Sequence, residues 1–327
     1  MAAAITRRND AIIETDAAPV VLSESDAERI QAAAAAAQAP ATHRTYDSLW
    51  RSFAVWCKKR GYAPLPAAPV AVAAYLAERA ETVKPATVRL AAAAVGNRHR
   101  QTCLPNPAAA EGVKVVLAGL ARQGQAGAQR QAKGISRENL AAIRATACRP
   151  RRGRGGKLES RRQARARGEV DIALCCTMFD GMLRRSEAEA LTWADISGEA
   201  DGSGRLIVRR SKTDAEGEGK VLWISPETMA ALDAIRGNGG AGPVFGLSGQ
   251  QISRRIAAVC EAAGLGKGYS GHSLRVGAAQ ALAGANISLA GIMENGRWQS
   301  SRMPARYTRN AAAAQSAMAR LYGQNDL

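Results

Sequence analysis

Residues Ser270 to Tyr307 read SGHSLRVGAAQALAGANISLAGIMENGRWQSSRMPARY. His272 and Arg275 stand in an H-x-x-R arrangement, Trp298 follows, and Tyr307 comes nine residues after it. The Ala-rich, uninterrupted run from Ser270 to Gly284 predicts a helix, on which residues three apart share a face, so His272 and Arg275 point at one target. A phosphate fits both groups. Arginine offers a planar fork of donors, and histidine donates a hydrogen bond or moves a proton near neutral pH. H-x-x-R by itself also describes an ordinary solvated helix face, so the rest of the chain has to decide.

The chain has 327 residues, enough for two domains with cores of their own. Its 45 Lys and Arg against 28 Asp and Glu give a formal net charge of +17. That excess points to a polyanionic partner, and with no apolar run near membrane-spanning length the partner is nucleic acid rather than a membrane. Charge kept only for solubility is the plainer alternative. The six cysteines form no C-x-x-C pair and no Cys/His group has zinc-ligand spacing, so they read as reduced core residues of a cytoplasmic protein. The start, MAAAITRRNDAIIETDA, lacks the apolar core of a signal peptide and reads, over residues 1–22, as a disordered tail.

Helices dominate the region from 23 to 121. Ser23 to Gln38 opens on S-E-S-D, a cap with acids at a helix N-terminus, and continues into an alanine tract. Tyr46, Leu49, Trp50, Phe53, Trp56 and Cys57 recur at spacings of three and four, an amphipathic helix closed by Gly61. Further helices fit Val70 to Ala80, Thr87 to Arg100 and Glu111 to Ala121. Arg44, Lys84, Arg89, Arg98 and Arg100 lie on or beside them, as helices laid against a DNA backbone require, although each alone could be a solvated position. Residues 122–134, rich in Gly and Gln, read as a linker.

Beyond the linker, SRENLAAIRATA starts another helix. Arg149 to Glu169 holds eight Arg and one Lys against two Glu and is interrupted by Pro150 and glycines, which reads as a loop or lid. Val170 to Leu191 reads as one helix, with Arg184 and Glu187 at its centre. A buried arginine needs a carboxylate or phosphate partner, and an Arg184–Glu187 ion pair is the plain version of that. LIVRR (206–210) and KVLWIS (220–225) form a hairpin with Lys212 at its mouth. A helix at Pro226 to Ile235 and one carrying Ser253, Arg254 and Arg255 complete the chain up to Ser270.

Taken in order, Arg184, Glu187, Lys212, His272, Arg275, Trp298 and Tyr307 resemble the catalytic positions of the tyrosine recombinase (phage integrase) family. The segments that carry the likeness are GMLRRSEAEALTWADIS, RRSKTD, GHSLR and GRWQSSRMPARYTRN, and it extends from about residue 30 to 322. The resemblance implies a mainly α chain with a small β-sheet. A helical, SAM-like core-binding domain (23–121) and a mixed α/β catalytic domain (135–327) would form a C-shaped clamp on duplex DNA. It further implies site-specific recombination through a 3′-phosphotyrosine link, with no metal or other cofactor and with a nucleoid-associated location. The protein would be a monomer free in solution and a homo-tetramer in the synaptic complex, joined through a C-terminal helix after Tyr307. Arg254, with Arg255 beside it, falls where the family places a helix in the major groove. Pro304 puts Tyr307 in the first turn of a short helix. Telomere resolvases and type IB topoisomerases share this chemistry, and a catalytically silent DNA-binding protein is the alternative from another class.

Overall fold

The computed structural model describes residues 23–36, 40–123, 132–153, 155–209, 219–237 and 241–309, which fall into two compact units, Met1–Arg130 and Gln131–Leu327. The first unit consists of helices α1 (Glu24–Ala36), α2 (Pro40–Lys59), α3 (Pro69–Ala80), α4 (Pro85–Gln101) and α5 (Glu111–Gln123). Prolines at the first turns of α3 and α4 preset φ where no backbone donor is needed. The stripe expected on α2 is inside: Leu49, Phe53 and Cys57 are buried against Val72, Tyr75 and Leu76 of α3 and Val88, Ala92 and Val95 of α4. His99 is also in this core, fully buried. Its Nδ1–H donates to the Val95 carbonyl (2.8 Å) and its Nε2 accepts from the Ala67 amide (2.9 Å), so it is a structural pin between α4 and the loop before α3.

In the second unit, α6 (Arg137–Thr146) and α7 (Arg161–Asp180) precede α8 (Arg185–Ala190). An antiparallel sheet follows in the order β1 (Ile196–Gly198), β2 (Gly204–Val208), β3 (Lys220–Ile224). Along β2 and β3 the alternation is that of a sheet with one covered face: Leu206, Val208, Leu222 and Ile224 are buried, while Arg205, Ile207, Val221 and Trp223 are exposed. Then come α9 (Pro226–Asp233), α10 (Gly249–Ala262), α11 (Ser273–Gly284), α12 (Leu289–Gly296) and α13 (Arg302–Tyr307). Leu174 and Met178 of α7, Ile256 and Val259 of α10, and Leu274 and Val276 of α11 join the inner face of the sheet in one core. Burial of each such side chain contributes about 1.5–3 kcal/mol. The mainly helical architecture with its small sheet is as expected, although β1 had not been anticipated.

Four sequence expectations need correction. The basic stretch 149–169 is not a loop throughout, because α7 begins at Arg161. Ser160 and Gln163 form a capping box, Ser160 Oγ accepting from the Gln163 amide (3.2 Å) and Gln163 Oε1 from the Ser160 amide (3.0 Å), and this overrides the charge repulsion of the run that follows. Val170 to Leu191 is not one helix. The chain breaks at Gly181–Arg184, with Met182 in the left-handed region (φ 45°), and restarts with Arg184 at the cap of α8. The helix holding Arg275 starts at Ser273, which leaves His272 at its N-terminal boundary. Tyr307 is the last residue of α13, and Pro304 sits in that helix's first turn. Residues 1–22, Lys212 and the segment from 310 onward lie outside the described residues.

Candidate active site

Arg184, Glu187, His272, Arg275, Trp298 and Tyr307 come together in the second unit from four places in the chain. The break at Gly181–Leu183 delivers the first pair. With Arg184 in the extended cap position, the Glu187 carboxylate reaches back to accept its amide (2.9 Å, Oε2) and its Nη1 (2.6 Å, Oε1). An arginine and a glutamate three residues apart thus become the two halves of a helix cap. The N-terminus of α11 presents His272 to solvent and turns Arg275 inward, where it is only 1% exposed.

Arg275 is held by three neighbours. Nη1 donates to the Met182 carbonyl (2.5 Å), Nη2 donates to the Gly296 carbonyl, and the guanidinium lies over the Trp298 ring, 4.2 Å from its centroid. Those two bonds occupy two of its five N–H donors. Burial, then the nearby Arg184 and Arg297, pull its pKa down to about 9, so it still carries its charge at neutral pH. Trp298 is also placed beside Tyr307, with ring centroids 5.8 Å apart. A side chain at Gly296 would prevent this, because a Cβ there would stand 1.9 Å from the indole.

Tyr307 is 6% exposed and its Oη lies 2.7 Å from His272 Nε2. Burial raises the phenol pKa, against the opposing pull of Arg275, Arg306 and Arg184. Partial burial, then the cations of Arg275, Arg184 and Arg185, lower that of His272. Both shifts favour the neutral pair, a phenol donating to an imidazole. A neutral imidazole that accepts a hydrogen bond from a tyrosine hydroxyl is within reach of its proton. The backbone of Tyr307 is anchored too, since Gln280 Nε2 of α11 donates to its carbonyl (3.3 Å).

Lys212 lies outside the described residues, between β2 and β3 in the chain. Lys220, at the start of β3, pairs with Glu294 of α12 (3.2 Å), which ties that strand to the helix that leads to Trp298.

The sequence reading missed Arg297. Its side chain is 7% exposed, and Nη2 donates to Glu187 Oε2 (2.7 Å). Position 297 adopts a left-handed conformation (φ 52°) at the end of α12. G-R-W in the sequence was the available signal, an arginine between two residues that belong to the site.

The residues proposed to contact DNA are distributed over both units. Arg44, Lys84, Arg89 and Arg100 are exposed on the first, and Arg98 is half-buried with its guanidinium over Trp50 (5.5 Å). Arg254 is exposed on α10, whereas Arg255 corrects the expectation. Its Nε donates to Asp171 (2.7 Å) and its Nη2 to the Arg167 carbonyl (2.8 Å), so it faces the protein. Asp171, 2% exposed, is the hub of a network that also takes Arg167 (3.1 Å) and Arg151 (3.7 Å). A buried carboxylate needs such partners, and two of the three, Arg167 and Arg151, come from the basic run expected to be a loop or lid.

Comparison with known proteins fits this geometry. Residues 161–314 match the model of the phage integrase family. The chain is similar to the recombinase cre of Escherichia phage P1, 28% identical over 315 residues that span 85% of this chain and 87% of the relative. It is also similar to an integrase/recombinase xerD homolog of Selenomonas ruminantium, 26% identical over 290 residues, 81% of this chain and 80% of that one. Among solved structures, the Tn1549 transposon integrase in complex with transposon right end DNA superposes with a TM-score of 0.58 at 13% identity, covering 90% of this chain and 98% of that one, a likeness of fold.

Proposed function

We propose that this chain, which belongs to the phage integrase family, is a site-specific DNA recombinase that cuts and rejoins duplex DNA with Tyr307 as nucleophile. The observation that carries the assignment of roles is the 2.7 Å approach of Tyr307 Oη to His272 Nε2 beside the Arg184 and Arg275 guanidinium groups. Oη attacks the phosphorus of a phosphodiester as its proton passes to His272. The bond from phosphorus to the 5′-oxygen breaks, leaving a 3′-phosphotyrosine link and a 5′-oxygen that is protonated by Lys212. The diester's bond energy is kept in the link, so a 5′-hydroxyl from another strand can reverse the step and complete exchange. Negative charge building on the non-bridging oxygens meets Arg184, Arg275 and the Trp298 N–H. Glu187 orients Arg184 and does not itself react.

Duplex DNA is the substrate, bound through the phosphate contacts of Arg44, Lys84, Arg89, Arg98, Arg100 and Arg254. The finer reading is a nucleoid-associated enzyme that is a monomer in solution and a homo-tetramer on two synapsed duplexes. Truncation from residue 313 onward tests the assembly, because it should leave single half-sites occupied and abolish four-subunit complexes. Among the described residues no helix is long and apolar enough to cross a membrane.

The decisive experiment incubates the protein with DNA from its own genomic neighbourhood, denatures the mixture and sequences the DNA ends that stay attached to protein. The wild type should yield 3′-linked ends at one site, and Tyr307→Phe should bind that DNA without forming the link. Binding with no adduct from the wild type would instead indicate a silent DNA-binding protein.

A further inference from the structure

Arg297 cannot touch a substrate as the structure stands. Its Nη1 donates to the carbonyls of Gly181 (3.0 Å) and Asn295 (3.1 Å), its Nη2 to the Met182 carbonyl (3.1 Å) and to Glu187 (2.7 Å). Two of those acceptors also serve Arg184 and Arg275. Glu187 binds Arg184, and the Met182 carbonyl takes Arg275 Nη1. The Arg297 carbonyl in turn accepts from Arg184 Nη2 (3.3 Å). One side chain therefore braces both guanidinium groups, from a backbone conformation that glycine would adopt more easily.

The arithmetic of charge gives that brace a purpose. Glu187 is 2% exposed, and a carboxylate so buried draws on whatever cation is near. With Arg184 as its one cation, the carboxylate would neutralise the group meant to meet a phosphodiester. We infer that Arg297 is a positioning residue that satisfies Glu187 Oε2, so that Arg184 is oriented by the carboxylate without being neutralised by it. The inference rests on the recombinase reading above. Burial works to raise the Glu187 pKa, but Arg297 and the Arg184 contacts outweigh it and hold the carboxyl below its ordinary value, in the charged form this arrangement needs.

The test uses the full-length protein and the duplex mapped from the wild-type adduct, with binding and single-turnover adduct formation measured separately. Arg297→Gly keeps the left-handed turn and removes the guanidinium. It should bind the duplex normally and form adduct at least about tenfold more slowly, since misplacing a phosphate-orienting group by a fraction of an ångström has that effect. Arg297→Lys should recover part of the rate. The discriminating variant is Arg297→Gly combined with Glu187→Gln. A neutral amide needs no second cation, so removing Arg297 should slow the Glu187→Gln protein by far less than it slows the wild type. A wild-type rate for Arg297→Gly, losses that multiply in the double variant, or parallel loss of binding and adduct in both Arg297→Gly and Arg297→Lys would each overturn the inference. Absence of adduct from the wild type would instead remove the recombinase reading on which it stands.

Discussion

His272 shows what one side chain's surroundings do to its chemistry. Its pKa lies below the ordinary histidine value because partial burial and the cations Arg275, Arg184 and Arg185 disfavour a second proton. A base with a lowered pKa is neutral above that pKa and is lost as pH falls through it. Adduct formation should therefore be level across neutral pH and decline only on the acid side of the usual histidine range, about pH 6.5. Single-turnover rates across a pH series check this. His272→Asn should flatten the acid limb as well as lower the rate, and an unchanged limb in that variant would assign it to another group. Lys212 carries a separate expectation, resting on sequence alone. If it protonates the leaving oxygen, Lys212→Ala should be slow on ordinary DNA and recover when the bridging 5′-oxygen is replaced by sulfur, which departs without a proton. Arg297 belongs to this scale as well. A non-glycine residue in the left-handed region costs about 1–2 kcal/mol, and a buried ion pair and three carbonyl contacts offset it.

Among the elements, α11 decides most, because it carries Arg275 and is led in by His272. It packs so closely on the chain at Ile135 that a Cβ at Gly277 would stand 1.8 Å from the Ile135 carbonyl oxygen, while the Ile135 amide donates to Ser273 (3.0 Å). Gly277→Ala should therefore destabilise the second unit by about 1–3 kcal/mol and slow adduct formation by displacing the helix. At Gly284, the other end of the same helix, an added methyl group would meet nothing within 4 Å. Gly284→Ala should leave the melting temperature level or raise it slightly, since alanine loses less conformational entropy on folding. Thermal unfolding of both variants checks the pair, and equal effects would show that α11 does not owe its position to this contact. The α7 boundary makes the same point from local chemistry. Ser160 and Gln163 stood in the sequence as a legible capping box, but the charge of the surrounding run drew the reading toward a loop.

For the whole molecule, charge is the governing property. The net +17 was read as an affinity for polyanion, and the structure divides the basic segment 149–169 into two kinds of cation. Arg161 and Arg162 are exposed on the first turn of α7, whereas Arg167 and Arg151 belong to the Asp171 network. Replacing Arg161 and Arg162 with Ser should lower the slope of log K against log salt by about 1.8 if each meets one phosphate. Stability and base preference should not change. Arg167→Ala should do the reverse, lowering stability by about 1.5–3 kcal/mol because it takes one of three arginines from the buried Asp171 carboxylate. A salt series on one duplex, with a melting curve for each variant, separates the two. An unchanged slope in the Arg161/Arg162 variant would place those arginines away from DNA.

By itself the sequence determined the helical character of both units and the pairing of β2 with β3, and it singled out Arg184, Glu187, His272, Arg275, Trp298 and Tyr307 as candidates, because each of these is written locally. Periodicity, capping residues, turn chemistry and short motifs need only a few neighbours to act. Tertiary structure alone decided which cations are spent inside the fold and which face outward. Arg255 and Arg254 are adjacent in sequence and identical in type, yet one is bound to Asp171 of a distant helix and the other is exposed. It likewise decided that His272 meets Tyr307, that Arg275 is sheathed by the carbonyls of Met182 and Gly296, and that Arg297 braces Glu187. Each of these depends on the path of the chain between residues far apart in sequence, and burial, which sets both charge pairing and pKa, exists only once that path has closed.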